Sequence, residues 1–501
     1  MEVQAMSGES VAMVEERSRR RWIVLALLVA AQFMVVLDVA IVNVALPSIK
    51  TDLHFSQVSL QWVITAYTIL FGGVLMLGGR LADLLGRRRL FMIGLALFTS
   101  FSLLDGLAWS EGSLIAFRAA QGLGAALLSP AALSILTTTF SEGRERNLAL
   151  GIWGAVSGSG AAAGVLLGGA LTSGLGWSWI FFINVPVGVS VIALAPFLLR
   201  ESRADLSHRH FDLAGATSIT AGLMLLVYAL TRAAEHGWGS AASIVMLAVA
   251  AALIGGFFVI ESRSKAPLLP LRMFRLRTLS GSNLSGLLMG AAIFSQFFLL
   301  TLYMQEVLHY SALKTGLAYI ALTVTVILFS GLAQALVTRI GVRRVLPVGL
   351  VLSAVALVLF ARLPVHGRYF SDLLPPFLVS GLGLALAFVP MSIGALTGVE
   401  PSDAGVASGL INTVQQVGGA IGVAIVTTVA TTVTAHYVHA HAGASALGGA
   451  ALTDGFQVAF YVLAAIAVVG AVIATLVLEG HGPQVQSQSS GELRAEFEAA
   501  G

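Results

Sequence analysis

Gly79-Arg80-Leu81-Ala82-Asp83-Leu84-Leu85-Gly86-Arg87-Arg88-Arg89 is a short polar island between two long apolar runs. It has an echo at Gln334-Ala335-Leu336-Val337-Thr338-Arg339-Ile340-Gly341-Val342-Arg343-Arg344, an offset of 255 residues when Gly86 is laid on Gly341. Each copy closes one apolar run and opens the next, so the chain reads as two versions of one helical unit. A six-helix unit at about 33 residues per helix and loop would return after about 200 residues. The surplus of roughly 55 fits two extra helices inserted between the halves.

Composition demands the same class. Of 501 residues, 57% are apolar and only 11% charged, and mean hydropathy is +0.89. Soluble domains carry about a quarter charged residues, so this chain cannot cover a water-facing surface and belongs in a bilayer. Apolar runs bounded by charge or Gly/Pro punctuation predict fourteen spans: 22–46, 58–79, 90–109, 112–137, 147–171, 179–199, 213–231, 241–260, 279–305, 315–338, 345–361, 374–397, 406–435 and 456–478. With the N-terminus in the cytoplasm, 22 of the 28 Lys and Arg fall in inner segments and 5 in outer ones, Arg118 alone lying within a span. That asymmetry follows the positive-inside rule and places both termini in the cytoplasm. The organisation expected is a cytoplasmic segment 1–21, a six-helix half 22–200, an insert 201–278, a second half 279–479 and a Gln/Ser/Glu-rich disordered tail 480–501.

Several chemistries are excluded. There is no cysteine, so disulfides and thiolate metal sites are out. None of the three lysines follows a glycine, so no Walker A loop cradles phosphate. The HExxH and GxSxG signatures are missing, leaving no support for a zincin or serine hydrolase. His436, His439 and His441 stand together after span thirteen without nearby carboxylates, which reads as a solvated loop rather than a metal site. The predicted class is an all-α polytopic membrane protein, not an enzyme, with no cofactor, no metal and no nucleic-acid partner.

Ionisable residues inside spans are costly and mark function by default. Asp38 lies about 8 residues from the outer end of span one and Arg118 about 6 past the outer start of span four, so at about 1.5 Å per residue they stand at similar depth and can pair. One reading makes Asp38 the site that exchanges a proton for a cation; the other makes the pair a static lock between helices. Asp105 and Glu306, near the outer ends of spans three and nine, are second acidic candidates, against a reading in which they snorkel to the interface. Asp83 can face the positive N-terminal end of a neighbouring helix and Arg144 or Arg146; that it forms with Gly79, Gly86, Arg87 and Arg88 a latch made in one conformation is what the family resemblance given below implies. The basic trio Arg87 to Arg89 also reads as a topology anchor. Gly151, Gly160, Gly164, Gly168 and Gly169, with Gly405 to Gly422 in the second half, bring helix backbones together. These packed faces are where the halves are expected to slide. Gln61, Tyr67, Gln296, Asn412, Gln415 and Gln416, with Phe33 and Trp153, are candidate cavity residues, or else interhelical hydrogen bonds.

These motifs together resemble the major facilitator superfamily, in particular its fourteen-span drug:proton antiporter branch, over residues about 20 to 480. Gly79 to Arg89 is similar to that family's loop motif, and Leu37-Asp38 through Leu46-Pro47 to its first-helix motif. Arg118-x-x-Gln121-Gly122-x-Gly124 resembles the fourth-helix motif, and the glycines from Gly151 to Gly169 have the spacing of the fifth-helix antiporter motif. Trp177 to Gly188, including Asn184, and Gly405 to Gly419 complete six matches in order. Val165 stands where the family has proline and Ser178 where it usually has arginine. The resemblance implies a monomeric proton-coupled exporter of hydrophobic, cationic compounds, working among membrane lipids in a prokaryotic cytoplasmic membrane. Two alternatives stay open: a dedicated exporter of one metabolite or self-made antibiotic, and a non-transporting sensor or lipid-handling protein. The inserted pair, with no ionisable side chain deep in a span between 213 and 260, is expected to lie outside the twelve-helix core. Neither Met224 nor Tyr228 should then line the cavity.

Overall fold

A computed structural model describes residues 2–55, 57–60, 62–141, 143–203, 212–264, 267–440 and 448–478. Gln61, His441 and the tail 480–501 lie outside the described residues. Thirteen helices are long and apolar enough to cross a membrane, and a further one, Arg144–Gly174, has 31 residues. In lipid every backbone polar group must be satisfied within its own segment, which is why runs of this composition become helices.

In chain order the membrane helices are α1 Glu2–Asp52, α2 Trp62–Leu85, α3 Arg87–Gly106, α4 Glu111–Thr139 and α5 Arg144–Gly174. Then come α6 Trp179–Leu198, α7 Leu213–His236, α8 Ala241–Arg263, α9 Arg277–Val307 and α10 Leu313–Ile340. The last four are α11 Val342–Phe360, α12 Tyr369–Gly394, α13 Ala404–Ala440 and α14 Gly448–Val477. The end of the bundle holding Arg20 and Arg21 is called the inner end below.

The repeat seen in the sequence is a repeat of geometry. A single glycine separates α2 from α3 and α10 from α11, and both have positive φ: 113° at Gly86 and 83° at Gly341. A side chain at either position would be strained, so glycine is what permits so tight a reversal. Eight helices separate equivalents, making α2 the counterpart of α10 and α5 that of α13. The halves meet along two seams, α2 on α13 and α5 on α10, which are one interface seen from each half.

The glycines of α5 and α13 divide between two jobs. Gly151 and Gly154 face Gln334 and Val389 of the other half, and Gly405 and Gly409 face the α2 backbone at Gly79 and Leu75. Gly160, Gly164 and Gly168 instead press on Val36, Ala40 and Ile41 of α1, as Gly418, Gly419 and Gly422 press on α9 at Leu287, Phe294 and Ala291. Gly169 is buried too. Of this series, the inner glycines face the other half and the later ones pack within their own half. At Val165 the helix continues unbroken, since valine, unlike the motif proline, keeps its backbone N–H.

Helix α7 packs on α2 and α13, and α8 packs on α7. Met224 occupies the notch left by Gly73, and the Tyr228 ring lies 5.8 Å from that of Trp62. The Trp238 indole N–H donates to the Thr428 hydroxyl of α13 at 2.7 Å. Glu261, at the inner end of α8, accepts the backbone N–H groups of Leu268 and Leu269. The inserted pair is thus seated across the α2/α13 seam. Two span ends differ from expectation. Helix α1 reaches Asp52, pinned by the Trp177 indole at 2.8 Å, and α13 reaches Ala440, so His436 and His439 are on a helix, not in a loop.

Candidate functional site

Five helices of the first half converge on one sealed polar cluster. Asp38 of α1 and Arg118 of α4 form an ion pair of 2.6 Å between Oδ2 and Nη1, and both are buried. The other Asp38 oxygen, Oδ1, accepts from Gln121 Nε2 at 3.0 Å and from Asn184 Nδ2 of α6 at 3.1 Å. Asn184 also donates to Ser102 of α3 at 3.0 Å, and Ser102 donates to the Phe181 carbonyl at 2.9 Å. Arg118 donates through Nη1 to Gln121 Oε1 as well, and through Nε to the Val63 carbonyl of α2 at 3.2 Å. Its guanidinium carbon lies 4.3 Å from the Tyr67 ring centre and 5.6 Å from that of Phe181. A buried charge is tolerated when paired and hydrogen-bonded, and Asp38 is given three donors.

Helix context explains the convergence. Arg118 and Gln121 are one turn apart on α4 and so share a face; the capping box of Ser110 and Ser113 fixes where that helix begins. The depth argument reached the right pair by an inexact route. Helix α1 runs well past residue 46, leaving Asp38 14 residues from its end at Asp52, so the two helices end at different heights.

Asp105, one turn beyond Ser102 on α3, is fully buried, and neither carboxyl oxygen has a hydrogen-bond partner. It is near enough to Arg118 and Asp38 for their charges to act on it. Glu306 is elsewhere: it is exposed on a π-helical turn, Tyr303–Val307, at the end of α9. Of the candidate cavity residues, Tyr67 joins the charged cluster. Gln296 donates to Ser380 at 2.8 Å inside the second half, beside a small pocket that Met289, Phe297 and Ser353 also line. This pair joins α9 and α12, the counterparts of α1 and α4, with neutral side chains. Asn412 bonds back to Ser408, Gln415 reaches the Met391 sulfur at 3.9 Å, and Gln416 sits by Gly72 across the seam. Trp153 is in the main core and Phe33 packs beside Leu37 and Ile41. These side chains do not form one lining.

A second cluster closes the inner end. Asp83 Oδ1 accepts from the Gly405 N–H and Oδ2 from the Val406 N–H, each at 3.1 Å, capping α13 from the opposite half. Its arginine partner is Arg87, at 2.8 Å. Arg144 is exposed, a correction to the expected Asp83 contact: Arg87, one turn on, fills that role. Arg146 instead donates to the Leu396 carbonyl at 3.1 Å. Gly79 lies against the Gly405 carbonyl. Arg88 donates to the Leu199 carbonyl at 3.2 Å, while Glu201 accepts the Arg88 and Arg89 backbone N–H groups, an acid at a helix start. Arg272, on the short turn Leu271–Arg275, bonds Asp403 at 2.8 Å and Glu400 at 3.1 Å. Those bonds, that to Asp403 first, raise its pKa further and keep it charged.

Sequence reasoning assigned no site role to Gln121, Asn184 or Ser102. The first two stand in quoted motifs, which was their only signal; a lone serine on an apolar helix gives none.

Residues 28–423 match the Major Facilitator Superfamily. The chain is 39% identical over 495 residues to the puromycin resistance protein pur8 of Streptomyces alboniger, with 98% of each chain aligned. It is 43% identical over 409 residues to the cephamycin export protein CmcT of Amycolatopsis lactamdurans, covering 81% of this chain and 84% of that one. The human organic anion transporter MFSD10 (TETRAN) shares the fold, with a TM-score of 0.61 at 16% identity over 91% of this chain and 99% of that one. With its apolar helices, paired halves and 396-residue family match, this multi-pass membrane protein belongs to the major facilitator superfamily.

Proposed function

We propose that this chain is a secondary exporter that expels hydrophobic, cationic compounds, drugs or antibiotics among them, in exchange for inward-moving protons. The observation that carries the reading is the Asp38–Arg118 pair, sealed within the first half and held by Gln121 and Asn184. A buried cluster that pairs acidic side chains with one guanidinium can offer an arriving cation a counter-charge. The inner latch at Asp83 supports alternation between two states, because its bonds to Gly405 and Val406 exist only while the halves are closed there. The chain acts as a monomer among membrane lipids, catalyses no covalent reaction, and has both termini in the cytoplasm.

A second reading, export of a single antibiotic, is favoured by the near full-length likeness to a puromycin resistance protein. Ethidium efflux from energised cells, with and without a protonophore, tests the general reading. Efflux that collapses with the proton gradient supports it; efflux indifferent to the gradient overturns proton exchange. Resistance to one antibiotic without ethidium efflux selects the second reading.

A further inference from the structure

Resting on the exchange reading above, we propose that the exchanged proton is carried by Asp105, and that Asp38 stays ionised as the fixed partner of Arg118. The cluster contains two carboxyl groups and one guanidinium. Asp38 receives Arg118, Gln121 and Asn184, so its negative charge is paired and solvated by donors. Asp105 is fully buried and receives nothing on either oxygen. An ionised carboxylate so placed costs several kcal/mol, whereas the neutral acid costs far less. The proton of the cluster therefore resides on Asp105 in this state.

Arg118 bonds Asp38 and makes no hydrogen bond to Asp105. Its Nη1 is held by Asp38 and Gln121, its Nε by the Val63 carbonyl, and Tyr67 and Phe181 flank it. The titratable or charged groups facing Asp105 are Arg118 from α4, Asp38 from α1 and Tyr67 from α2. From α6 come Asn184, and Phe182 against Gly106, which do not titrate. With Asp105 protonated the three charged positions sum to zero. When its O–H bond breaks, the proton leaves to water and one negative charge remains in the cluster, which a monovalent cation balances. Asp105 sits in the last turn of α3, next to the four-residue link to α4, the part of the cluster nearest the outer end. One proton is then exchanged for one positive charge, with no change of net charge in the site.

The test uses the full chain, purified, with Asp105→Asn and Asp38→Asn beside the wild type. Infrared difference spectra at neutral pH, wild type minus Asp105→Asn, should show the C=O band of a protonated carboxylic acid; a carboxylate band in its place overturns the proposal. Ethidium should release a proton from the wild type in weakly buffered solution and none from Asp105→Asn. Because an amide imitates a neutral acid, Asp105→Asn should keep the wild-type Tm while Asp38→Asn lowers it. Proton release that persists in Asp105→Asn would assign the proton elsewhere and leave exchange standing. A wild type that neither releases protons nor loses ethidium efflux to a protonophore would sink the exchange reading and this one together.

Discussion

Asp83 on α2 caps the backbone N–H of Gly405 on α13 across 322 positions of chain. That one carboxylate joins the two halves at the inner end, satisfies two N–H groups that a helix start leaves open, and pairs with a buried arginine in its own half. No other side chain in the described residues is shown doing all three.

Asp83→Asn should therefore destabilise the inner-closed state strongly. The bonds lost between the halves are the two charge-assisted ones to Gly405 and Val406, each worth about 1.5–3 kcal/mol. Even about 1.4 kcal/mol is a tenfold shift in population. Spin labels on the inner ends of α2 and α13 should report a longer mean distance, and turnover should slow with little change in substrate affinity within a fixed state. An unchanged distance and turnover would reduce the motif to a topology anchor.

Arg272→Ala makes the opposite case. Arg272 and Glu400 are 58% and 62% exposed, and exposed pairs contribute about 0–1 kcal/mol. The same spin-label distance should move little, and less still at high salt. A shift as large as that of Asp83→Asn would show this exposed clasp to hold the inner end as firmly as Asp83 does.

Removing Arg118 leaves Asp38 charged and buried without its ionic partner, a change in the class of about 3–5 kcal/mol. Arg118→Gln should lower Tm in detergent markedly. Adding Asp38→Asn should recover part of that loss, because both charges are then gone, without restoring transport. Full recovery of transport would mean that the pair is only a static lock.

Met224→Ala empties the notch at Gly73 on the far side of α2. If the inserted helices stand outside the transport core, this substitution should lower Tm by the loss of packing, at most about 2 kcal/mol because Met224 is only half-buried, and leave the range of exported compounds unchanged. An altered substrate range would bring Met224 into the cavity wall.

What the sequence made legible and what it hid have a common physical cause. Hydropathy locates helices because lipid demands long apolar runs, and the Gly86/Gly341 echo marks equivalent turns because both need positive φ. The direction each side chain faces is another matter. A helix that is apolar all round carries no amphipathic stripe to say which side meets protein. Gly160 and Gly164 thus looked like Gly151, yet they face α1 rather than the other half. Gln296, read as a cavity residue or an interhelical hydrogen bond, is tied to Ser380 within its own bundle beside a small pocket that both line. Asp38 and Arg118 were readable because charge is rare in a span; Ser102 and Asn184, which complete their shell, are neutral and were not.

The repeat also breaks its own symmetry at the inner end. The position equivalent to Asp83 is Thr338, and across the α5/α10 seam Asn147 donates to its hydroxyl at a long 3.4 Å. One seam is fastened by charge and the other by neutral contacts, so they do not function as interchangeable edges of a door. On the proposed alternation, the α2/α13 edge would act as the bolt, released as a unit when Asp83 lets go of Gly405 and Val406. The glycine-lined α5/α10 edge is crossed by the long Asn147–Thr338 bond, with Arg146 reaching the Leu396 carbonyl beside it, but by no buried carboxylate among the described residues, and it is suited to be the pivot. Opening would then swing wider at Leu85 and Ala407 than at Asn147 and Thr338, an inequality that paired distance measurements across both seams can read. The doorway faces α7, which makes the inserted pair its jamb.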